Sequence, residues 1–242
     1  NSLLSAPFPA PVGGYTETIL RMIDVIFAAA SQAAPDRVVA NAYGTINALS
    51  IAGKRKNGQP WVMFSFYGGG HGGSLESDGL NHGNAPISTA TIPPMEILEA
   101  AYPVMFRQWA LRPDSAGAGM HRGGMGAIYE IEVLEGGGAT AFLFGERGRF
   151  APKGVACGDE ASMNVFSYEQ ADGWQHPPMV SKMVGIRLKQ GQAVRLETPG
   201  GGGYGSASDR DPTAVAQDVA MGLVSPESAT LAYGSVWTEA QE

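Results

Sequence analysis

The sequence lacks most features of secreted, membrane-spanning and nucleic-acid-binding proteins. Its single cysteine, Cys157, excludes an internal disulfide and fits a reducing compartment, so we expect a cytoplasmic protein in which this residue is small and buried. The longest apolar run, Ile19 to Ala30, is interrupted by Arg21 and Asp24 and falls short of the ~20 residues that cross a bilayer. Lys and Arg number 16 against 23 Asp and Glu and form no cluster, which argues against a nucleic-acid partner.

Two nucleotide-binding signatures are missing as well. A glycine-rich loop ending in Gly-Lys-Ser/Thr is absent, so the sequence predicts no ATP site on this chain. Residues 68–73 and 200–205 match the dinucleotide spacing, but neither lies in a convincing β-α-β unit. No signal peptide opens the chain, which starts at Asn1 and runs into the proline-rich stretch 6–11. We therefore expect it to come from inside a longer polypeptide.

Glycine is the residue present in excess. The chain has 34 glycines in 242 residues, about twice the ordinary usage of ~7%. They concentrate in three tracts, 68–73, 117–126 and 200–205. Glycine allows positive φ and close approach of the backbone to another group. We therefore expect these tracts to bend around a reaction centre.

Hydrophobic periodicity predicts the order of elements. Apolar residues at three–four spacing predict a helix over 16–33. Short β-type runs follow at 45–51, 61–67, 127–134, 140–144, 163–168, 184–188 and 193–197. The turn sequences Asn57-Gly58 and Lys189–Gln192 each predict a hairpin between the flanking runs.

Further helices are predicted over 94–101, 211–222 and 225–233, the last with a Ser225 cap. Helix, then many strands, then helices predicts an α+β fold: a strand-rich mixed domain with an N-terminal helix and C-terminal helices. The chain forms either one unit over 1–242 or two sub-regions, 1–125 and 126–242.

Polar residues follow the strand 61–67, within and just after the first glycine tract. His71 and Asp78 are candidates for catalytic proton transfer, and Asn84 is a candidate for substrate binding. With His82, they would form a polar pocket, a proton shuttle or a metal position. The alternative is a tight surface turn with a solvated histidine.

The second tract contains a candidate anion-binding residue. Arg122 lies between glycines, where its guanidinium would orient an oxyanion as a third catalytic candidate. Asp114 and Ser115 are substrate-binding candidates, or else bond loop amides as an Asx turn. A nucleophilic role for Ser115 lacks the nucleophile-elbow pattern.

Two further acidic segments carry alternatives. Glu96 and Glu99 share one face of a short helix; Glu96 is a substrate-binding candidate, whereas Glu99 fits a solvated helix turn. Asp209-Arg210-Asp211 precedes a helix, where it predicts an anion site at the helix N-terminus or a helix cap with a surface ion pair.

Together these segments resemble the C-terminal half of the hydantoinase B/oxoprolinase family. The matching stretches occur in the family's order over essentially the whole chain: 77–79, 94–103, 111–124, 197–205 and 222–234. The family also includes related subunits of acetone and acetophenone carboxylases.

The resemblance implies an enzyme of two kinds of subunit. An A-type partner binds ATP and Mg²⁺ and phosphorylates a lactam, imide or ketone oxygen, and the B-type subunit then completes the reaction. We therefore expect part of the B-type subunit of an ATP-dependent amidohydrolase that opens hydantoin, 5-oxoproline or lactam rings. The alternatives are a subunit of an acetone/acetophenone-type carboxylase and a non-catalytic assembly subunit.

Two departures bear on the site. The family's His/Asp-rich metal-binding section lies in an N-terminal half that this sequence does not contain, so ligands for a divalent metal are expected outside this chain. Met120-His121 also stands where the family more often has an aromatic or basic pair. The expected partners are the A-type subunit, that N-terminal half and a small-molecule substrate.

Overall fold

The computed structural model describes residues 4–10, 16–44, 46–85 and 92–234. Within these ranges the helices are α1 (Thr16–Ala30), α2 (Met95–Ala101), α3 (Pro212–Ala220) and α4 (Pro226–Tyr233). The strands are β1 (Asn47–Lys54), β2 (Pro60–Tyr67), β3 (Val104–Leu111), β4 (Ala127–Val133), β5 (Ala139–Phe144), β6 (Val165–Gln170), β7 (Gly173–Gln175), β8 (Lys182–Leu188) and β9 (Ala193–Glu197). The α+β prediction is confirmed. None of these helices is long and apolar enough to cross a membrane.

The strands form two antiparallel sheets around a shared core. One sheet has the order β2-β1-β5-β8 and the other β3-β4-β9-β6-β7. Burial alternates along β2 and β4, so one face of each sheet is apolar and buried. The buried faces contribute Leu49, Ile51, Met63, Ile131, Phe166 and Leu196 to one core cluster. Each sheet combines strands from before and after residue 125.

The two predicted hairpins have different outcomes. Asn57-Gly58 does connect the paired strands β1 and β2, with Gly58 at φ +85°. The Lys189–Gln192 prediction is wrong, because β8 and β9 lie in different sheets. That turn carries the chain from one sheet to the other, with Gly191 at φ +81°.

Two strands and one burial state differ from the predictions. The periodicity missed β3, whose alternation is broken by a bulge between Phe106 and Gln108, and it missed the three-residue β7. The predicted strand 45–51 starts at Thr45, which lies outside the described residues. Cys157 is exposed, so the prediction of a buried residue is wrong.

The N-terminal and C-terminal helices pack in clusters of their own beside the main core. Helix α1 buries Leu20 beside Ile46 and Ala85, and packs against Phe66 of β2. It ends at Ala30, three residues before the predicted end. At the other terminus, the predicted caps form: Asp211 accepts from Thr213 N at 2.8 Å and Ser225 from Ser228 N at 3.2 Å.

The three glycine tracts pack against one another, and we call residues 68–73, 117–126 and 200–205 the glycine layer. Backbone hydrogen bonds join them: Gly124 N to His71 O (2.8 Å), Gly201 N to Gly124 O (2.9 Å) and Gly73 N to Gly202 O (2.9 Å). Only Gly205 among these glycines has positive φ. The expectation of positive φ is therefore wrong for most of the layer, and close approach is what requires glycine.

A methyl group at the centre of the layer has no space. A Cβ on Gly70 would lie 1.8 Å from Gly124 O, whereas a Cβ on Gly136 would meet only the end of the Gln190 side chain, at 3.1 Å. We expect Gly70→Ala to lower the free energy of unfolding by about 3 kcal/mol or more, since backbone must move, and Gly136→Ala to change it by less than about 1 kcal/mol. Urea unfolding of both variants measures this. Equal effects would contradict it.

Candidate functional site

His71 projects from the glycine layer onto a defined partner. Its Nε2 lies 2.5 Å from the backbone oxygen of Asn84. Because a carbonyl oxygen only accepts, Nε2 carries the hydrogen and the neutral ring keeps its lone pair on Nδ1. The half-buried imidazole stacks on Tyr43, with ring centroids 6.4 Å apart. The structure therefore brings the predicted residues His71 and Asn84 together.

Asp78 and Arg122 belong to a closed set of four charges, which we call the ion-pair ring. Asp78 accepts two bonds from Arg210, at 2.7 and 2.8 Å. Arg210 also donates to Asp218 at 2.7 Å, and Asp218 accepts from Arg122 Nε at 3.0 Å. The backbone N of Arg122 completes the ring by donating to Asp78 at 2.9 Å.

The ring keeps its acidic member ionised. Burial opposes ionisation of Asp78, but the hydrogen bonds and charge of Arg210 and the nearby Arg122 outweigh it and lower the pKa of Asp78 below its ordinary 3.8. Burial likewise opposes the charge of Arg210, yet Asp78 and Asp218 raise its pKa above its ordinary value. The prediction of a surface ion pair at Arg210 is wrong. Its side chain is buried and donates to Asp78, which lies 132 residues earlier, and to Asp218, which lies eight residues later.

Cavities lie beside the ring. One of about 380 Å³ is lined by Asp78, Met120, His121, Asp209, Arg210 and Asp211. Within it, His121 Nδ1 lies 3.8 Å from Asp78 Oδ1. A second cavity of about 200 Å³ borders Arg122 and Tyr233. The glycine layer thus holds charged side chains at the walls of cavities large enough for small molecules.

A third histidine has a buried aromatic environment. Trp109 Nε1 donates to His82 Nε2 at 3.3 Å, and the Tyr129 hydroxyl is hydrogen-bonded to the same nitrogen. Indole nitrogen only donates, so His82 Nε2 is an acceptor and the ring hydrogen is on Nδ1. Burial lowers the pKa of His82, which favours this neutral form. No local pattern pointed to Tyr129 and Trp109, which are 47 and 27 residues away.

Comparison with models of protein families identifies the family of this chain. The model of the hydantoinase B/oxoprolinase family matches residues 1–207, which is most of the chain. The chain belongs to the hydantoinase B/oxoprolinase family. The predicted resemblance is therefore confirmed.

Named relatives are similar over nearly the full length of this hydantoinase B-family chain. The beta subunit of the caprolactamase of Pseudomonas jessenii is 32% identical over 97% of the chain and 42% of the relative. A putative D-/L-hydantoinase B subunit of a Pseudomonas species is 27% identical over 100% of the chain and 40% of the relative. The chain thus spans about two fifths of their length.

A solved structure has the same fold. The ATP-dependent caprolactamase of Pseudomonas jessenii superposes with a TM-score of 0.82 at 27% identity. The match covers 98% of this chain and 42% of that one. The two-sheet body and glycine layer therefore correspond to one part of a longer chain.

Two of the predicted substrate-binding residues in this family member bond to the protein itself. Asp114 Oδ1 accepts from Ser225 N at 2.8 Å, a contact across 111 residues and not a local Asx turn. The fully buried Ser115 donates from Oγ to Arg112 O at 2.6 Å and accepts from Gly126 N at 2.9 Å. Ser115 thus fixes the second glycine tract at Gly126, and Asp114 ties its loop to the start of α4.

The two glutamates of α2, Glu96 and Glu99, differ in their contacts. Glu96 is exposed in the first turn, whereas Glu99 Oε1 accepts from Phe106 N at 2.7 Å and so bonds to β3. The expectation of a merely solvated Glu99 is wrong. Among the described residues, no group of three or more His, Cys, Asp or Glu side chains could hold a metal ion.

The ion-pair ring predicts a large effect of removing Asp218. In Asp218→Ala, Arg122 and Arg210 lose their buried counter-charge, and we expect the free energy of unfolding to fall by about 3–5 kcal/mol. The control is Asp36→Ala, because Asp36 pairs with Arg37 at 3.7 Å on the exposed surface, where such pairs contribute less than about 1 kcal/mol. Urea titration compares the two. A similar small loss in both would contradict a structural role for the ring.

The ring also predicts acid sensitivity. A lowered pKa for Asp78 means that its stabilising contribution is present above the unfolded-state pKa and is lost as pH falls through the folded value. When the pH is lowered from about 5 to about 3, the free energy of unfolding of Asp78→Asn should therefore fall by less than that of the wild type. Burial raises the pKa of Asp24, so protonation of this residue at low pH favours the folded state. The free energy of unfolding of Asp24→Asn should therefore fall by more than that of the wild type. Urea unfolding at both pH values measures this, and equal losses in all three proteins would refute it.

Proposed function

We propose that this chain is part of the B-type subunit of an ATP-dependent enzyme that opens cyclic amides or imides. The supporting observation is the alignment of nearly the whole chain with a caprolactamase beta subunit and with a putative hydantoinase B subunit. Both names refer to a ring that contains an amide bond. We therefore place the substrate in the class of hydantoins, 5-oxoproline and lactams.

The chemistry requires activation before the ring opens. An unstrained amide is a poor electrophile, and conversion of its oxygen to a phosphate ester would supply a good leaving group. We assign ATP and Mg²⁺ to an A-type partner subunit, since this sequence has no glycine-rich loop ending in Gly-Lys-Ser/Thr. We propose that this chain contributes to the later, hydrolytic half of the reaction. The lone Cys157 leads us to place the complex in the cytoplasm.

Within the chain we assign proton transfer to His71 and an electrostatic role to Asp78. The His71 ring is fixed through Nε2 on Asn84, which leaves Nδ1 as the basic atom. Asp78 borders the 380 Å³ cavity and is held ionised by Arg210. Asn84 and Glu96 remain proposed substrate contacts, and Arg122 a proposed oxyanion-orienting residue. Because Arg122 is buried against Asp218, substituting it would test folding and catalysis together.

The proposal is tested on the complex of the B-type subunit that contains this chain with its A-type partner. We expect Mg²⁺-ATP to drive opening of hydantoin, 5-oxoproline or ε-caprolactam, with ADP released in step with the ring-opened product. Chromatography of both products measures this. ATP-dependent carboxylation of acetone or acetophenone from bicarbonate, without ring opening, would replace the proposal by the carboxylase alternative.

A variant separates a catalytic from an assembly role. His71→Ala should lower ATP-coupled turnover by at least about tenfold, the lower range for loss of an acid–base group, with an unchanged melting temperature. The matched control is His176→Ala, because the exposed His176 bonds the Phe166 carbonyl at 3.0 Å outside the glycine layer. Normal turnover in His71→Ala would favour a non-catalytic assembly role.

A further inference from the structure

The outward faces of the two sheets differ in chemistry. On the five-stranded sheet, Arg107 pairs with Glu130 (3.2 Å), Glu132 (2.8 Å) and Glu169 (3.0 Å). Arg195 adds pairs to Glu130 (3.1 Å) and to Glu197 on the same strand (2.8 Å). Four glutamates thus share two arginines, and this charged face is suited to contact with water.

The outward face of the four-stranded sheet is apolar. Phe64 on β2 is 55% exposed and Phe142 on β5 is 39% exposed. Exposed apolar side chains also surround them: Val62, Phe144 and Val184. A contiguous apolar patch of this kind is uncommon on a surface that stays in water and marks an interaction site.

The strand register shapes this face into a trough. Ser50 of β1 is paired with Phe64 on one side and Phe142 on the other. One pleat along, Ala48 lies between Phe66 and Phe144 in the same way. Small side chains on β1 therefore form the floor between two aromatic ridges. The ridges stand two strand spacings apart, ~9.6 Å between backbones, so the space between them accepts the side chains of a helix of ~10 Å diameter that rests across both ridges.

The rim of the trough is basic. A groove of about 820 Å³ shares Phe142 with the trough and is lined by Lys54, Arg187 and Lys189, with no acidic residue in its lining. At the other end Lys182 Nζ lies 4.7 Å from the centre of the Phe144 ring and pairs with Glu146 at 3.5 Å, so the basic rim is the end with Lys54 and Lys189. A positive rim on a chain of net charge −7 favours a partner segment that carries acidic residues.

We infer that the trough, defined by Ser50, Phe64, Phe142 and Phe144, binds an amphipathic helix with acidic flanks. We assign that helix to the part of the B-type subunit that this chain does not match. The chain spans only 40% and 42% of its named relatives, so the larger part of each relative lies outside the matched region and supplies a candidate occupant. An apolar helix face in an apolar groove buries the aromatic ridges, and the acidic flanks pair with Lys54 and Lys189.

The helix α1 supports this placement. It packs against Phe66 at one end of the trough through Leu20 and Ile23. On its other side it exposes Val25 and Ile26. The packing of α1 on Phe66 shows that this face of the sheet already accepts an apolar helix surface at one end. The inference depends on membership of the family and not on the identity of the substrate.

Zero-length carbodiimide cross-linking of the intact complex tests the inference. Lys54 and Lys189 should form cross-links to Asp or Glu residues of the remaining part of the B-type subunit, identified by mass spectrometry, whereas the exposed Lys153, which lines none of the trough, should not. Phe64→Glu and Phe142→Glu should reduce these cross-links at least about tenfold, because each removes burial of a phenylalanine side chain. The control is Trp174→Glu, since Trp174 is 40% exposed on the other sheet.

The outcomes separate the possible occupants. Melting temperatures equal to that of the wild type would show that the variants fold, since both phenylalanines are exposed. Unchanged cross-links in the two variants, or cross-links only between copies of this chain, would overturn the inference. Binding of the wild type, but not of the variants, to phosphatidylcholine vesicles would overturn it in favour of a lipid surface. A complex that shows the expected cross-links yet opens no cyclic amide would retain the trough assignment and remove the proposed function.

Discussion

Close backbone packing in the glycine layer is the constraint on which the other features of the molecule depend. Segments from three distant parts of the chain hydrogen-bond directly through their backbones, and a Cβ on Gly201 would come within 1.8 Å of His71 O. Glycine contacts bury no side chain, so the stability of the layer comes from satisfied backbone hydrogen bonds and from its buried non-glycine members, such as Met125 and Tyr204. The layer is therefore a platform from which His71 projects and against which Asp78 is held by the backbone N of Arg122.

The ion-pair ring fastens this platform to the C-terminal helices. Asp218 lies on α3, and its carboxylate binds Arg122 from the layer and Arg210 from the loop before the helix. Charges removed from water are stable only when they are paired and hydrogen-bonded. The candidate site is for that reason coupled to a helix that contributes no proposed substrate contact. In energetic terms, the site and the C-terminal fold are one unit.

The two outward sheet faces differ in their chemistry: one is charged and the other is apolar. One face pairs its charged side chains through Arg107 and Arg195, whereas the other leaves Phe64 and Phe142 in solvent. A body that makes up about two fifths of its named relatives has reason to keep one face ready for the remainder. The division of faces connects the family membership of the chain with its architecture.

Local sequence was sufficient for the order of most elements, the α+β class, the caps at Asp211 and Ser225 and the family. These depend on periodicity, on turn residues and on ordered motifs, all of which can be recognised in the amino-acid sequence. Which side chains meet was settled only by the folding of distant segments onto each other. Arg210 looked like a surface residue beside Asp209 and Asp211, yet it is buried against Asp78, 132 residues away. The turn at Lys189–Gln192 has the local chemistry of a hairpin, but strand partnership is set by the packing of two sheets. Contacts across such separations arise from packing and charge compensation in three dimensions. The residues next to each partner in the sequence therefore do not indicate them.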